Sequence, residues 1–360
     1  MYDCDHLQNN MDNFMQILEE NAYRECIPLK GTFELTARCN FNCNMCYVHL
    51  NEKQIQHQGR ELTNEEWLEI ARQAKEVGML YLTLTGGEVF ARPGFKELYL
   101  ALSEMGFLVQ ILSNGYLIDE KVMEWLSQTP PYMLRFTLYG ASNETYERVC
   151  GIKNGFSKVS HAIDLVKKAK IPFYMVSTLV KENRHDFEAM CRFSEEKEVL
   201  YRASTAVLKS IRGVDRNIEE HCIDIEEAVG IERGELPQIN NLLETCGNYR
   251  KGFWITWKGN IQLCAFMNES TISLLEQSFN KAWDRLIIEL EKIKMPKECD
   301  DCKYSGFCSR CPGVFAAECG NCNQIDEKFC EKAKRLYRAF YRKKGEINEE
   351  SICRASNEKN

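Results

Sequence analysis

The chain has 360 residues, 44% of them hydrophobic and 28% charged, a balance that excludes disorder over most of its length and suggests two or three compact units. Lys and Arg number 46 against 53 Asp and Glu, and a net charge of −7 does not favour a nucleic-acid-binding surface. No apolar run approaches the ~20 residues that cross a bilayer, and Met1 to Asn10 lack the basic-then-apolar order of an export signal, so a soluble, cytoplasmic protein without nucleic-acid or membrane partners is expected.

From Gly31 to about Val207 short apolar runs alternate with helical periods. The candidate strands are Thr32–Arg38, Met79–Thr85, Phe107–Ser113, Met133–Tyr139, Ile171–Leu179 and Val199–Val207, rich in β-branched and aromatic residues, several of them apolar on both faces. Doubly buried strands alternating with helices predict a parallel sheet. Between the first two strands, Thr63 and Glu66 fit a capping box, Trp67, Ile70, Ala71, Ala74 and Val77 form one stripe, and Gly78 marks the stop. A further helix starts near Ser157 with Val159, Ala162, Ile163 and Val166 on one face. Six βα units are too few for a closed eight-stranded barrel, which leaves an open partial barrel or a doubly wound sheet. Either places an active site at the C-terminal strand ends.

Residues 209–245 read as a charged connector with one or two helices. Phe253–Trp257, then Gly259 and Asn260, then Ile261–Leu263 read as a small hairpin. From there to Cys330 little apolar periodicity is visible, and such a segment needs a metal staple. Residues 331–344 read as a basic helix and 346–360 as a frayed tail.

The outlying number is 18 cysteines. A chain this long builds its own core without disulfide staples, so clustered cysteines in a reducing compartment read as metal ligands. Cys39, Cys43 and Cys46 form one knot directly after the first strand, and nine more fall between Cys246 and Cys330. Three thiolates in one short loop can hold three irons of a [4Fe–4S] cluster and leave the fourth iron open to a small molecule. A zinc site completed by His49 is the alternative.

On these residues the sequence resembles the radical SAM superfamily. Cys39-Asn-Phe-Asn-Cys43-Asn-Met-Cys46, followed by Tyr47, is similar to its cluster motif, and Thr85-Gly86-Gly87-Glu88 is similar to its glycine-glycine-glutamate motif. The resemblance implies that the latter meets the methionyl amine of S-adenosylmethionine (SAM): two glycines allow close backbone approach, and Glu88 accepts from an ammonium. Ser113-Asn114-Gly115 resembles the family's turn near the adenosine, Thr137-Leu138-Tyr139-Gly140 its Ser-Leu-Asp-Gly segment, and Val180-Lys181-Glu182-Asn183 its next loop. Each of these also reads as a polar turn. Val89 stands where proline is usual, and Cys150-Gly151 where many relatives carry Arg-Gly, which leaves Arg148 as the candidate contact for the SAM carboxylate and Cys150 as a buried thiol.

Cys246, Gly259 and Cys264 resemble the opening of the SPASM motif of auxiliary-cluster domains, and Cys299, Cys302, Cys308, Cys311 and Cys330 its second half, one residue short before Cys311. Two zinc ribbons are the alternative. The resemblance implies one auxiliary cluster on Cys299, Cys302, Cys308 and Cys330 and another on Cys246, Cys264 and Cys311. The fourth ligand of the latter is left open among Cys319, Cys322, Cys222 and no protein group. Cys319 and Cys322 read equally as a redox pair or as surplus, and Cys4, Cys26, Cys191 and Cys353 as bystanders.

The resemblance spans roughly residues 31–335. The expected α/β fold is a partial (β/α)6 barrel of parallel strands over 31–208, preceded by an extension (1–30). A connector (209–245), a cysteine-rich domain with a β-hairpin and two iron–sulfur clusters (246–345) and a flexible tail (346–360) follow. The implied function is cleavage of SAM to a 5′-deoxyadenosyl radical that oxidatively modifies a ribosomally made peptide, as a thioether, a C–C crosslink or a related side-chain oxidation. One SAM-binding and two auxiliary [4Fe–4S] clusters and a flavodoxin or ferredoxin-type electron donor go with it. A maturase of a sulfatase, a haem-pathway side-chain enzyme, and a non-catalytic zinc or iron–sulfur module are the alternatives. The leader-binding domain common in peptide modifiers does not fit ahead of the first strand, so a separate leader-recognition protein or direct docking on the barrel is expected. Lys332 to Lys344 carry seven basic groups and no acidic ones, offering an acidic leader a dock if they are not simply a solvated face. No His or Asp stands out as a base.

Overall fold

The computed structural model describes residues 4–48, 50–209, 211, 217–232, 246–267, 272–294, 296–308 and 311–343. Six parallel strands, β1 (Lys30–Glu34), β2 (Tyr81–Thr85), β3 (Leu108–Ser113), β4 (Met133–Thr137), β5 (Phe173–Thr178) and β6 (Tyr201–Ser204), lie side by side in chain order. Every step between neighbours carries at least one helix: Asn64–Glu76, Phe95–Glu104, Glu120–Leu126, Gly155–Lys168 and Phe187–Lys197 among them. Among the described residues no strand pairs with the outer edge of β6, so the sheet is an open partial barrel.

Local signals account for the helices. Thr63 caps Asn64–Glu76 with the reciprocal box to Glu66, and Trp67, Ile70, Ala71 and Ala74 are buried. Trp67 stacks on Phe33 of β1 at 4.8 Å between ring centroids. Val159, Ala162, Ile163 and Val166 of Gly155–Lys168 are likewise buried.

The strands differ from expectation in one respect that matters for function. They are not apolar on both faces. Phe33, Leu82, Leu84, Ile111, Leu134 and Phe136 are fully buried in the core, whereas their alternating neighbours Thr32, Thr83, Gln110, Arg135 and Thr137 are only partly buried. The alternation gives an apolar layer under the helices and a polar inner face around a cavity. β1 also ends earlier than its sequence suggests, at Glu34. Residues 35–38 stay extended beside 85–88, with Gly87 N–H donating to Thr36 O and Glu88 N–H to Arg38 O, both at 2.8 Å.

The expected hairpin forms as β7 (Gly252–Ile255) and β8 (Asn260–Gln262), but it joins the barrel sheet. β7 pairs in parallel with β1, Lys30 opposite Gly252, and β8 and β9 (Ile272–Ser273) add antiparallel strands beyond it. The periodicity that seemed missing after the hairpin is present in the helix Phe279–Leu290, which buries Phe279, Ala282, Trp283, Leu286 and Leu290. Phe279 packs on Phe253 of β7 at 4.9 Å, and Trp283 Nε1 donates to Cys26 O.

The first 30 residues hold a helix, Cys4–Glu25, whose Glu19 pairs with Lys30 and Lys251 at the N-terminal ends of β1 and β7. In the connector, Ile218–His221 and Ile225–Glu232 are helical, while residues 233–245, the tail 346–360, His49 and Cys353 lie outside the described residues. The basic helix forms as Glu327–Lys343. Three of its basic residues are engaged within the molecule: Lys328 with Glu318, Lys332 with Thr205 Oγ1, and Arg335 with Glu226 and Glu331. No helix among the described residues is long and apolar enough to cross a membrane.

Candidate active site

Cys39, Cys43 and Cys46 follow β1 in a loop held from outside. Asn42 N–H donates to Cys150 O at 2.9 Å and Asn44 N–H to Val149 O at 3.0 Å, at the end of the helix Asn143–Cys150. Phe41 fixes the loop from within, edge-on to Tyr116, Tyr139 and Tyr146. Cys150 itself is fully buried. All three loop thiols line one cavity of ≈310 Å³ at the C-terminal strand ends.

Burial pushes the Cys39 thiol far up, and the Glu88 charge and the neighbouring Cys43 and Cys46 push it further. Three thiolates this close together repel one another unless a cation compensates them. Iron in a cluster supplies that charge, so the donor set fits a [4Fe–4S] group.

Gly86 and Gly87 line the same cavity. They are glycines because the backbone after β1 passes against them: a Cβ on Gly86 would stand 2.5 Å from Thr36 O, and one on Gly87 2.2 Å from Arg38 O. Gly87→Ala is therefore expected to force the cysteine loop's root aside and cost about 3 kcal/mol in urea unfolding. A cost below about 1 kcal/mol would mean that the turn has slack.

Glu88, expected near the methionyl amine, stands beside the cavity. It is 1% exposed, is not part of the cavity wall, and serves the protein's own donors. Its Oε1 accepts from Ser113 Oγ (2.9 Å) and Phe90 N–H (3.1 Å), its Oε2 from Asn114 N–H (2.8 Å). Burial raises its pKa to about 7 against these hydrogen bonds. Glu88 thus ties the end of β2 to the end of β3. Ser113 and Asn114 do reach the cavity, and Asn114 Nδ2 also donates to Asn40 Oδ1 at 2.9 Å within the cysteine loop.

Thr137 lines the cavity as expected, but Arg148 does not. Its Nη2 donates to Thr145 Oγ1 (3.0 Å) and lies 2.7 Å from His185 Nε2. Helix register decides this: Arg148 follows Thr145 by one turn and is held on that face. The arginine in the cavity wall is Arg135, which the motif comparison passed over. Its position in a β4 alternation was the only sequence signal for it.

The second cysteine group partly assembles along the expected lines. Cys264 is pushed up to about 12 by burial, with Cys311 and Cys246 close enough to add to the shift. Burial also raises Cys311, opposed by the N–H of Val314 in the helix Pro312–Cys319. A Cβ on Gly313 would stand 2.9 Å from Cys264 Sγ. Cys330 is raised by burial and then by Cys302, while Cys299 and Cys308 are buried. Cys319 and Cys222 share the surroundings of Glu318. Cys322 is buried. The two cysteine regions meet at an aromatic pair in the cavity wall, Tyr47 against Phe266 at 5.5 Å. Tyr47 is raised to about 12, chiefly by burial and then by Cys46.

Residues 33–194 match the family model "Radical SAM superfamily". The sporulation killing factor maturation protein SkfB of Bacillus subtilis (strain 168) is 27% identical over 210 residues, 58% of this chain but only 50% of that protein, so the chain spans about half its length. The AdoMet-dependent heme synthase of Methanosarcina barkeri (strain Fusaro / DSM 804) is 23% identical over 342 residues, 84% of this chain and 96% of that protein. In fold the chain is similar to Streptococcus suis SuiB bound to S-adenosylmethionine, with a TM-score of 0.63 and 16% identity over 90% of this chain and 82% of SuiB. SuiB has also been solved bound to the precursor peptide SuiA. The segment that brings the cysteine loop and the glycine turn to one cavity lies within residues 33–194, the part of the chain that is similar to the radical SAM superfamily.

Proposed function

We propose that the chain is a SPASM-type radical SAM enzyme that oxidatively modifies a ribosomally made peptide. The observation that carries this reading is the single cavity shared by Cys39, Cys43, Cys46, Gly86 and Gly87, with Phe266 of the second cysteine region in its wall. A maturation protein and a precursor-peptide-binding enzyme among the similar proteins support a peptide substrate.

On this reading Cys39, Cys43 and Cys46 hold the SAM-binding [4Fe–4S] cluster. Cys299, Cys302, Cys308 and Cys330, and Cys246, Cys264 and Cys311, hold two auxiliary ones. Reduced by a flavodoxin or ferredoxin-type donor, the SAM-binding cluster would supply one-electron reductive cleavage of bound SAM and, through it, hydrogen-atom abstraction from the substrate. The chain's residues shape that event. Gly86 and Gly87 keep their turn narrow enough for the ligand, Ser113, Asn114 and Thr137 offer polar groups at the strand ends, and Phe41, Tyr47, Tyr139 and Phe266 exclude water. The open edge beyond β6 leaves room for a bulky chain. A separate leader-recognition protein, or direct docking on the barrel, goes with a leader-bearing precursor peptide on this reading.

A haem side-chain reaction is the second reading, favoured by the nearly full-length match to the heme synthase. Iron and sulfide analysis after anaerobic reconstitution tests the common core of both readings. About twelve irons per chain are expected for three clusters; zinc without labile sulfide would sink them. Cys299→Ala with Cys302→Ala is expected to lose about four of those irons and stop product formation while 5′-deoxyadenosine is still released. Normal product from that variant would make the auxiliary site structural at most.

A further inference from the structure

We propose that Arg135 is a carboxylate anchor at the inner end of the cavity, and that the substrate presents an acidic side chain to it. This rests on the reading above, in which SAM occupies the strand ends. Arg135 stands on β4 between Leu134 and Phe136, both fully buried in the core, so the strand turns it the other way, into the cavity wall with Thr137 and Tyr139. Its Nε is buried without a hydrogen-bond partner, and no carboxylate among the described residues pairs with it.

Arg92 and Arg250 also bury an unpartnered Nε, but their terminal nitrogens are engaged, that of Arg250 with Glu291. Arg38 has Glu52 and Glu61, Arg184 has Glu227, and the buried Arg92 has Asn64 and two backbone carbonyls. An arginine N–H buried without a partner is costly, and at a cavity wall a ligand can complete it. The planar fork of arginine matches a carboxylate through two parallel hydrogen bonds.

Position selects the ligand. The cysteine loop, Gly86, Gly87, Ser113 and Asn114 all stand at the C-terminal ends of β1 to β3. Arg135 lies two residues back from Thr137 along β4, about 6.6 Å deeper. A group that reaches it enters beneath the ring that the SAM reading assigns to the cofactor. The side chain next to the reacting position of the substrate, an aspartate or glutamate, has the required charge and reach.

The test compares N-acetyl-glutamate N-methylamide with its glutamine counterpart, by ligand-observed NMR titration of the reconstituted, SAM-loaded protein. The wild type is expected to prefer the glutamate probe at least tenfold. Arg135→Gln should abolish the preference and change SAM affinity less than twofold, and Arg135→Lys should keep part of it. A structural arginine would lower the melting temperature when replaced, whereas removal of an uncompensated charge should leave it unchanged or raise it. The proposal fails if the wild type shows no preference, if the preference survives Arg135→Gln, or if that variant melts markedly lower. It also fails if SAM binding weakens tenfold, which would give the guanidinium to the methionyl carboxylate. Should SAM not bind the wild type at all, the functional reading falls separately, and the same titration without SAM still decides for or against Arg135.

Discussion

With Cys39, Cys43 and Cys46 all changed to alanine, the anaerobically reconstituted protein is expected to lose about four irons and to release no 5′-deoxyadenosine from SAM and dithionite. A fall to the uncatalysed background amounts to at least about 10^6-fold. The three thiols face one cavity from one loop, and the backbone N–H groups of Asn42 and Asn44 pin that loop to the end of the helix Asn143–Cys150, with Cys39 Sγ accepting in addition from Phe41 N–H. Replacing them therefore removes the donors and leaves the scaffold in place. Each Cys→Ala change deletes a single atom from a half-buried or buried site, a loss of about 1 kcal/mol, so unfolding does not explain the result. Cys191→Ala, on the outer helix Phe187–Lys197, is the control and should keep its full iron content. Unchanged 5′-deoxyadenosine from the triple variant would place SAM cleavage elsewhere in the chain.

The second large effect concerns Glu88 in the metal-free, reduced protein. Its folded pKa of about 7 lies above the ordinary value of 4.5, because burial disfavours the charged form. Between these two values the folded protein keeps a proton that the unfolded chain has released, so stability falls as pH rises. The contribution is complete below about pH 4.5 and is lost as pH passes through 7. Urea unfolding should show a decline of about 3 kcal/mol from pH 5 to pH 8, at ~1.4 kcal/mol for each unit of difference. Glu88→Gln should flatten that slope. It would also lower stability at pH 5 by about 1–2 kcal/mol, since an amide cannot accept from Ser113, Phe90 and Asn114 as the carboxyl does. An equal slope in wild type and variant would show that Glu88 does not titrate in this range.

Glu88 and Arg135 bear on how the cavity is built. The Glu88 carboxyl joins β2 to β3, and thereby holds Asn114 against the cysteine loop. The charge that faces the cavity comes from a strand interior with no motif around it. The same separation appears at the second cysteine region, where Phe266 beside Cys264 meets Tyr47 beside Cys46. An aromatic wall shared by both regions keeps water from the space between them.

What the sequence by itself determined is local. The capping box at Thr63, the apolar stripes of two barrel helices, the six strands in order and the close spacing of Cys39, Cys43 and Cys46 depend on residues within a few turns of one another. The energies involved, of capping, periodic burial and chelation by neighbours, are set by that spacing. The helix Phe279–Leu290 was equally legible in its period and was hidden only by the cysteines around it. The tertiary structure decided the rest. It paired β7 with β1 across more than two hundred residues, gathered Cys246, Cys264 and Cys311, turned Glu88 inward, engaged Arg148 with His185 and Thr145, and left Arg135 unpaired at the cavity. Each of these depends on which distant groups a side chain meets after the chain closes on itself. Burial and pairing between such groups have no signature in the neighbouring sequence, so a residue type at a motif position reveals the chemistry available but not the partner it finds.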